Sequence, residues 1–267
     1  MHLVLETLVA HIKPQPSLAW VADEPTEADM NHLIKEATEE SRFDPHRFRA
    51  TMLESLRATP PRAKLLCYRS SLAKILAIVE PGTEIPFEEW GRIFQAFGPY
   101  KTPYRILWFA HPQTRVMPAE GPPQPGDICG GYAYPCQPET IVIYRKEEAS
   151  RVLVHELLHA SCTDDMNKSE PIREALTETW AELFLIAVRA RGHPRTAAKL
   201  WAVQAQRIAD QEALLTERGV TGPEEFSWRY LVARRKVLEA LRIPLPPSTT
   251  QSLRMLNGSL SFTQHVE

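Results

Sequence analysis

Apolar residues recur at helical spacing through most of this 267-residue chain. Phe48, Met52 and Leu56 follow Asp44-Pro45 in this way, and a capping residue followed by Pro is typical of a helix start. The same pattern predicts further N-terminal helices over residues 62–79 and 86–97. In the C-terminal half it predicts three longer helices, over residues 171–191, 194–218 and 224–241.

The middle of the chain has a different pattern, with short runs of aromatic and β-branched residues. This composition favours strands, and it occurs at residues 104–110 (YRILWFA), 131–134 (GYAY) and 140–144 (TIVIY). From Glu147 the pattern becomes helical again, with Glu147 and Glu148 in the first turn, where negative charge favours the helix dipole. We therefore predict an α+β fold that is predominantly helical and contains a small sheet of about three strands.

The composition indicates a chain that can bury a core but offers no charge-driven function. Hydrophobic residues make up 43% and charged residues 24%, close to the globular average. Lys and Arg total 31 against 33 Asp and Glu, so the formal net charge is −2 and no overall field favours nucleic acid or an acidic membrane surface. Pro is frequent (23) and Gly scarce (11), which favours rigid connectors between helices over a Gly-rich phosphate loop.

The lack of a recognisable targeting signal and the cysteine pattern together predict a cytoplasmic or other intracellular location. The N-terminal residues have no basic lead and no small-residue cleavage site, and no apolar run reaches the ~18–20 residues of a membrane span. The four cysteines, at positions 67, 129, 136 and 162, include no C-x-x-C pair, which argues against a Cys-rich zinc finger. We expect reduced thiols, a small buried side chain at Cys162, and no membrane or nucleic-acid partner.

The motif that carries chemistry is H-E-x-x-H, formed by His155, Glu156 and His159. On a helix, residues four apart lie on one face, so both imidazoles can reach one tetrahedral zinc ion. Glu156 lies beside them and can act as general base on zinc-bound water, whose pKa the metal lowers toward ~7. Burying two imidazoles and a carboxylate in so apolar a helix is costly unless something satisfies them, which favours a metal site over ordinary core residues.

A zinc site needs a third protein ligand, and downstream carboxylates are the candidates. Glu174 lies 15 residues after His159 (174 − 159), Glu178 one helical turn later, and Asp165 only 6 residues after His159 (165 − 159). Glu182 continues the spacing of the two glutamates, so these three glutamates share one face of the predicted helix.

Helix direction helps to choose among these carboxylates. The helix that carries the two glutamates is predicted to begin near Ser169, a capping residue. If it returns antiparallel to the H-E-x-x-H helix, Glu174 lies opposite His159 and Glu178 opposite His155. One carboxylate can then bind the metal while the other holds a histidine through its second nitrogen.

These residues resemble a known family. His155-Glu156-x-x-His159 followed by Glu174-Ala-Leu-Thr-Glu178 is similar to the gluzincin zinc metallopeptidases, the thermolysin-like and aminopeptidase-N-like group. The resemblance covers roughly residues 104–190 and implies that Glu174 is the third ligand and Glu178 the carboxylate behind it. The spacing to Glu174 is shorter than that family's usual one, and Glu178 fits the aminopeptidase spacing better. The resemblance also implies that TIVIY is the edge strand along which an extended substrate lies.

A metzincin-like arrangement is the minor alternative for the third ligand. The motif H-E-x-x-H-x-x-G-x-x-H/D would place that ligand at Asp165. It uses a Gly to turn the chain sharply, and this sequence has Cys162 at that position, where φ > 0 carries a steric cost.

A gluzincin-like mechanism also needs a hydrogen-bond donor for the oxyanion, usually Tyr or His. Tyr230 is the first choice, because it lies on a later predicted helix at a family-like distance. The other candidates are His193, Tyr144 and Tyr134.

Together these features predict a zinc metallopeptidase, a hydrolase with one Zn²⁺ per chain and a peptide or protein substrate. The predicted segments are an N-terminal helical region (1–100), a zinc metallopeptidase-like core (101–242), and a Pro-rich connector with a C-terminal tail (243–267). The competing hypothesis is a non-catalytic binding or assembly protein that keeps a structural zinc.

Overall fold

The computed structural model describes residues 2–12, 16–249, 256 and 259–263. The chain forms two compact units, each made from separate stretches of sequence. The first, the sheet unit, comprises Gln15–Thr114 and Cys129–Thr163. The second, the helical unit, comprises Met1–Pro14, Arg115–Ile128 and Asp164–Glu267. Much of the predicted tail, residues 250–255, 257–258 and 264–267, lies outside the described residues.

The sheet unit is built on a six-stranded mixed sheet, so the prediction of about three strands was wrong. The strand order is β1-β2-β3-β4-β6-β5; β3, β4 and β6 run parallel, and the other neighbours are antiparallel. The strands are β1 (Val21–Ala22), β2 (Lys64–Arg69), β3 (Ala73–Val79), β4 (Tyr104–His111), β5 (Gly131–Ala133) and β6 (Ile141–Arg145). The α+β character of the prediction is compatible with this architecture.

Most of the difference comes from residues 62–79, predicted as a helix but folded as the β2–β3 hairpin. β3 is buried almost throughout, and a central strand covered on both faces has a continuous apolar run instead of an alternating one. Such a run does not distinguish a strand from a buried helix. The turn is closed by Ser70, whose hydroxyl accepts hydrogen bonds from the N–H groups of Leu72 and Ala73.

The described residues also form nine α-helices and one π-helical turn. The helices are α1 (Leu3–His11), α2 (Glu27–Thr38), α3 (Phe48–Arg57), α4 (Phe87–Phe97), α5 (Pro125–Ile128), α6 (Ala149–Ala160), α7 (Glu170–Ala190), α8 (Pro194–Glu217) and α9 (Arg234–Ala240), and the π-helical turn is Trp228–Val232. The predicted helices at 86–97, 171–191 and 194–218 are confirmed as α4, α7 and α8. The one predicted over 224–241 is divided into the π-helical turn and α9. None of the described helices combines the length and the apolar character needed to cross a bilayer.

Within the sheet unit, helices cover both faces of the sheet near β5. Gly131 and Tyr132 are neighbours in β5, so their side-chain positions point to opposite faces. The Gly131 side faces Val152 of α6, whereas the Tyr132 hydroxyl donates to Glu36 of α2 and accepts from Arg49 of α3. The sheet is therefore enclosed between α6 on one face and α2 with α3 on the other.

The helical unit is held partly by apolar packing and partly by buried polar side chains. α1 packs on α7 and α8 through a cluster that includes Leu5 and Val9, although it lies at the other end of the sequence. In the described part of the C-terminal segment, residues 260–263 are also buried. Its carbonyl groups accept hydrogen bonds from the side chains of α8: Arg207 and Gln211 donate to Ser261 O, and Gln204 donates to Phe262 O.

Candidate metal centre

α6 carries the H-E-x-x-H motif and is anchored at both ends within the sheet unit. It follows β6 and begins at Ala149, so Glu147 and Glu148, which were predicted to lie in its first turn, come before the helix. Near its start, Trp90 of α4 donates to the hydroxyl of Ser150, which donates to Glu89. At its end, the hydroxyls of Tyr104 and Ser161 are 3.1 Å apart. A helix fixed at both ends holds its side chains at defined positions, as a metal site requires.

His155 and His159 converge at their Nε2 atoms, which are 3.0 Å apart. The two rings lie one helical turn apart on the same face of α6, and both residues are buried, with 6% and 7% of their surface exposed. Two ligand nitrogens of a tetrahedral zinc ion, at about 2.0–2.1 Å from the metal, lie about 3.3 Å from each other. The pair therefore has the spacing of two ligands of one ion, which is the arrangement predicted from the sequence.

Glu156 lies between the two histidines in sequence and is 5% exposed. Its carboxylate faces β5: a Cβ atom built at Gly131 would lie 3.3 Å from Glu156 Oε1. The same Cβ would be 2.6 Å from both the carbonyl oxygen of Val142 and Cγ1 of Val152, so only Gly fits there. The carboxylate proposed as general base thus lies against the backbone of β5.

β5, and not TIVIY, is the edge strand beside the motif helix. TIVIY forms most of β6, which pairs with β4 on one side and with β5 on the other. Its expected role as edge strand was therefore wrong. Among the described strands, β5 ends the sheet on this side and has one partner, β6. The edge that can accept another strand is next to Glu156.

The downstream acidic residues belong to the helical unit, on α7 and the loop before it. Glu174, Glu178 and Glu182 follow at intervals of four, so they share one face of α7 as predicted. Glu174 is half-buried, whereas Glu178 and Glu182 are 3% and 1% exposed. Carboxylates so deeply buried are rare without a specific role. Which of the glutamates completes the histidine site stays a prediction.

Asp165 has interactions of its own within the loop before α7. Its carboxylate accepts a hydrogen bond from the N–H of Asn167 and lies 3.8 Å from the Lys168 ammonium. Cys162, at the position of the metzincin Gly, adopts φ = 60° despite the steric cost for a residue other than Gly, so the chain does take a left-handed turn there.

The candidate oxyanion donors lie in both units. Tyr144 is in the sheet unit, and its hydroxyl donates to Phe43 O. Tyr134, which follows the edge strand, is 43% exposed; partial burial and the charge of Glu36 raise its pKa, so its hydroxyl stays a donor at neutral pH. In the helical unit, Tyr230 lies in the π-helical turn with its ring 5.0 Å from that of Phe226, and His193 precedes α8.

The prediction of four reduced thiols was wrong, because Cys136 and Cys162 form a disulfide. Both residues are exposed, which also corrects the expectation of a buried Cys162, while Cys67 and Cys129 are buried and outside this disulfide. Nothing in the spacing of the cysteines indicated this pairing. The close approach of α6 to Gly131 did have a weak signal in the sequence, since a Gly inside a strand pattern indicates that another group comes close to the backbone there.

Comparison with protein-family models, with curated proteins and with solved structures finds no match to this chain.

Proposed function

We propose that this chain is a zinc-dependent peptidase of gluzincin-like type that hydrolyses peptide bonds. The observation that carries the proposal is the pair of buried imidazoles, with Nε2 atoms 3.0 Å apart, on the same helix as a buried carboxylate. Neutral imidazole nitrogens brought this close need a shared proton or a shared cation, and zinc is the ion most often bound by such pairs.

In this proposal His155, His159 and Glu174 bind one zinc ion per chain. The two histidines share the motif helix α6, and the half-buried Glu174 near the start of α7 would supply the carboxylate ligand. Two imidazoles and one carboxylate are a ligand set of catalytic zinc sites, which keep a further position open. Glu178, four residues after Glu174, is the carboxylate proposed to orient a histidine.

Glu156 is proposed to move the protons of the reaction. When bound, the metal supplies Lewis acidity, which polarises the scissile carbonyl and acidifies water. Glu156 takes a proton from the attacking water and returns it to the leaving amine. Its burial supports this role, because it keeps the carboxylate away from bulk water on the same helix as the two histidines.

The substrate is proposed to lie along β5. An extended peptide can pair with the free edge of a strand through main-chain hydrogen bonds, which orient it independently of its side chains. Since Glu156 faces Gly131 in this strand, a peptide bond held there would lie near the carboxylate. Tyr134 and Tyr230 are the two tyrosines to test as donors to the oxyanion.

The test is to measure zinc content and cleavage of a peptide library for Glu156→Gln. The amide keeps the shape of the side chain but cannot accept a proton, so we expect about one zinc per chain and a loss of roughly 10²–10⁴-fold in kcat/KM. Glu174→Gln should instead lose zinc. Glu139→Gln, an exposed change in the loop before β6, is the matched control and should change neither quantity.

Two outcomes would contradict the proposal. Wild-type protein that contains no metal would disprove the zinc site. Full activity of Glu156→Gln would disprove the role of Glu156 as general base. Stoichiometric zinc with no cleavage of any peptide would favour the competing hypothesis of a binding or assembly protein with a structural metal.

A further inference from the structure

A disulfide joins the end of the motif helix to the loop after the edge strand. Cys162 lies two residues beyond the end of α6 and three residues after His159, and Cys136 lies three residues beyond β5. Both cysteines are exposed. The bond therefore links the two elements that the proposed peptidase uses, the metal-binding helix and the substrate strand, and it is accessible to reductants.

The main-chain N–H groups of the same two cysteines also contact His159, a proposed metal ligand. The carbonyl oxygen of His159 accepts hydrogen bonds from the N–H of Cys136, at 3.0 Å, and from the N–H of Cys162, at 3.2 Å. The disulfide and the two hydrogen bonds thus connect Cys136, Cys162 and the His159 carbonyl in one small closed loop of contacts. A shift of either cysteine must change the position of this carbonyl and hence of the last turn of α6.

Both cysteines have left-handed backbone conformations, with φ of 64° at Cys136 and 60° at Cys162. Residues other than Gly rarely adopt such values, and they persist where the surroundings hold them. The Tyr100 hydroxyl lies 3.3 Å from Cys162 Sγ and is a further contact of this turn. The disulfide is the one covalent element among these constraints.

We propose that Cys136 and Cys162 are positioning residues for His159 and that reduction of their disulfide weakens metal binding. This inference rests on the proposed function, since it concerns the same metal site. Reduction breaks the Sγ–Sγ bond and adds two electrons and two protons to give two thiols, while a dithiol reductant is oxidised to its own disulfide.

The expected effect follows from the position of His159 in the last turn of α6. The final carbonyl groups of a helix have no partners within the helix, and the two cysteine N–H groups satisfy that of His159. Once the sulfur bond is open, the loop of Cys136 can separate and the turn can fray, whereas His155 stays one turn further inside. Loss of a group that orients a metal ligand typically weakens metal affinity by about 10–100-fold.

The experiment compares the zinc dissociation constant of the full chain in its oxidised form and after reduction with a phosphine, which takes oxygen from water as the disulfide becomes two thiols. We expect at least roughly tenfold weaker binding in the reduced form. In the metal-free protein, amide hydrogen exchange at Cys136 and Cys162 should become faster on reduction, while exchange in β3 stays unchanged.

The control is the double variant Cys136→Ser/Cys162→Ser. It should bind zinc as weakly as the reduced wild type and should not respond to the phosphine, which separates this disulfide from the other two cysteines, Cys67 and Cys129. Equal or tighter zinc binding by the reduced wild type would overturn the inference, as would unchanged amide exchange. Absence of zinc from the oxidised protein would instead overturn the proposed function, and the amide exchange would still test the positioning of the turn.

Discussion

Different kinds of hydrogen bond stabilise the two units, each within itself. In the sheet unit, continuous ladders of main-chain bonds connect six strands. In the helical unit, three long side chains of α8 donate to the main chain of the C-terminal segment, Arg207 and Gln211 to Ser261 O and Gln204 to Phe262 O. A main-chain ladder tolerates most substitutions, whereas a side-chain bond depends on one residue. The helical unit should therefore be more sensitive to single mutations at its long-range contacts.

The largest loss of stability in the helical unit is expected from Phe262→Ala. Phe262 is buried in the core of the helical unit, and the guanidinium groups of Arg115 and Arg234 lie over its ring at 5.4 and 5.5 Å. Removing a buried Phe typically costs about 3–5 kcal/mol. We expect a loss of this size in the free energy of unfolding, with amide exchange accelerating in α8 and unchanged in β3.

Phe226→Ala is the control, because Phe226 is partly buried at the margin of the same cluster and should cost clearly less. If Phe262→Ala accelerated amide exchange in β3 as much as in α8, the two units would not differ in their sensitivity to this mutation.

A smaller effect is expected from Arg207→Met. Methionine keeps most of the apolar stem but cannot donate to Ser261 O, so one buried carbonyl loses a hydrogen bond. The expected loss is about 1–3 kcal/mol, since Gln211 still donates to the same oxygen. Urea unfolding measures it. A double-mutant cycle with Gln211→Leu should show coupling, and strictly additive losses would contradict a shared role.

An effect no larger than that of Arg207→Met, and seen only under acidic conditions, concerns an ion pair of the sheet unit. Burial alone would raise the pKa of Asp29, but hydrogen bonds from Lys74 and Thr26 outweigh it and lower the pKa from 3.8 to about 2. Because the folded pKa lies below the unfolded one, this stabilisation is fully present above about pH 4 and is lost as the pH falls to about 2. A shift of this size corresponds to roughly 2 kcal/mol.

The measurement is the free energy of unfolding between pH 4 and pH 2 for the wild type and Asp29→Asn. The variant should be less stable at pH 7 and should lose less stability on acidification. The same slope in both proteins would exclude Asp29 as the titrating group. Lys74→Met, which removes the ammonium that lies 2.8 Å from Asp29, should reproduce the flatter profile.

Sequence reasoning worked best where one short segment contained the whole signal. The pattern of residues 149–160 predicted a helix, and that helix brings His155 and His159 together because a period of 3.6 residues does so without help from the rest of the chain. The start signal at Asp44-Pro45 was less accurate: α3 begins at Phe48, although Asp44 does accept bonds from the N–H groups of Phe48 and Arg49. Sequence reasoning failed at residues 62–79, where the apolar run became a strand because neighbouring strands cover it on both edges.

The sequence by itself determined the helical H-E-x-x-H motif, the shared face of Glu174, Glu178 and Glu182, and the α+β character of the fold, because each depends on local periodicity. Only the tertiary structure decided that β5 is the edge strand, that Gly131 admits the Glu156 carboxylate, and that Cys136 bonds to Cys162. These features join residues that are far apart along the chain, and strand order and disulfide pairing follow from how the whole sheet assembles.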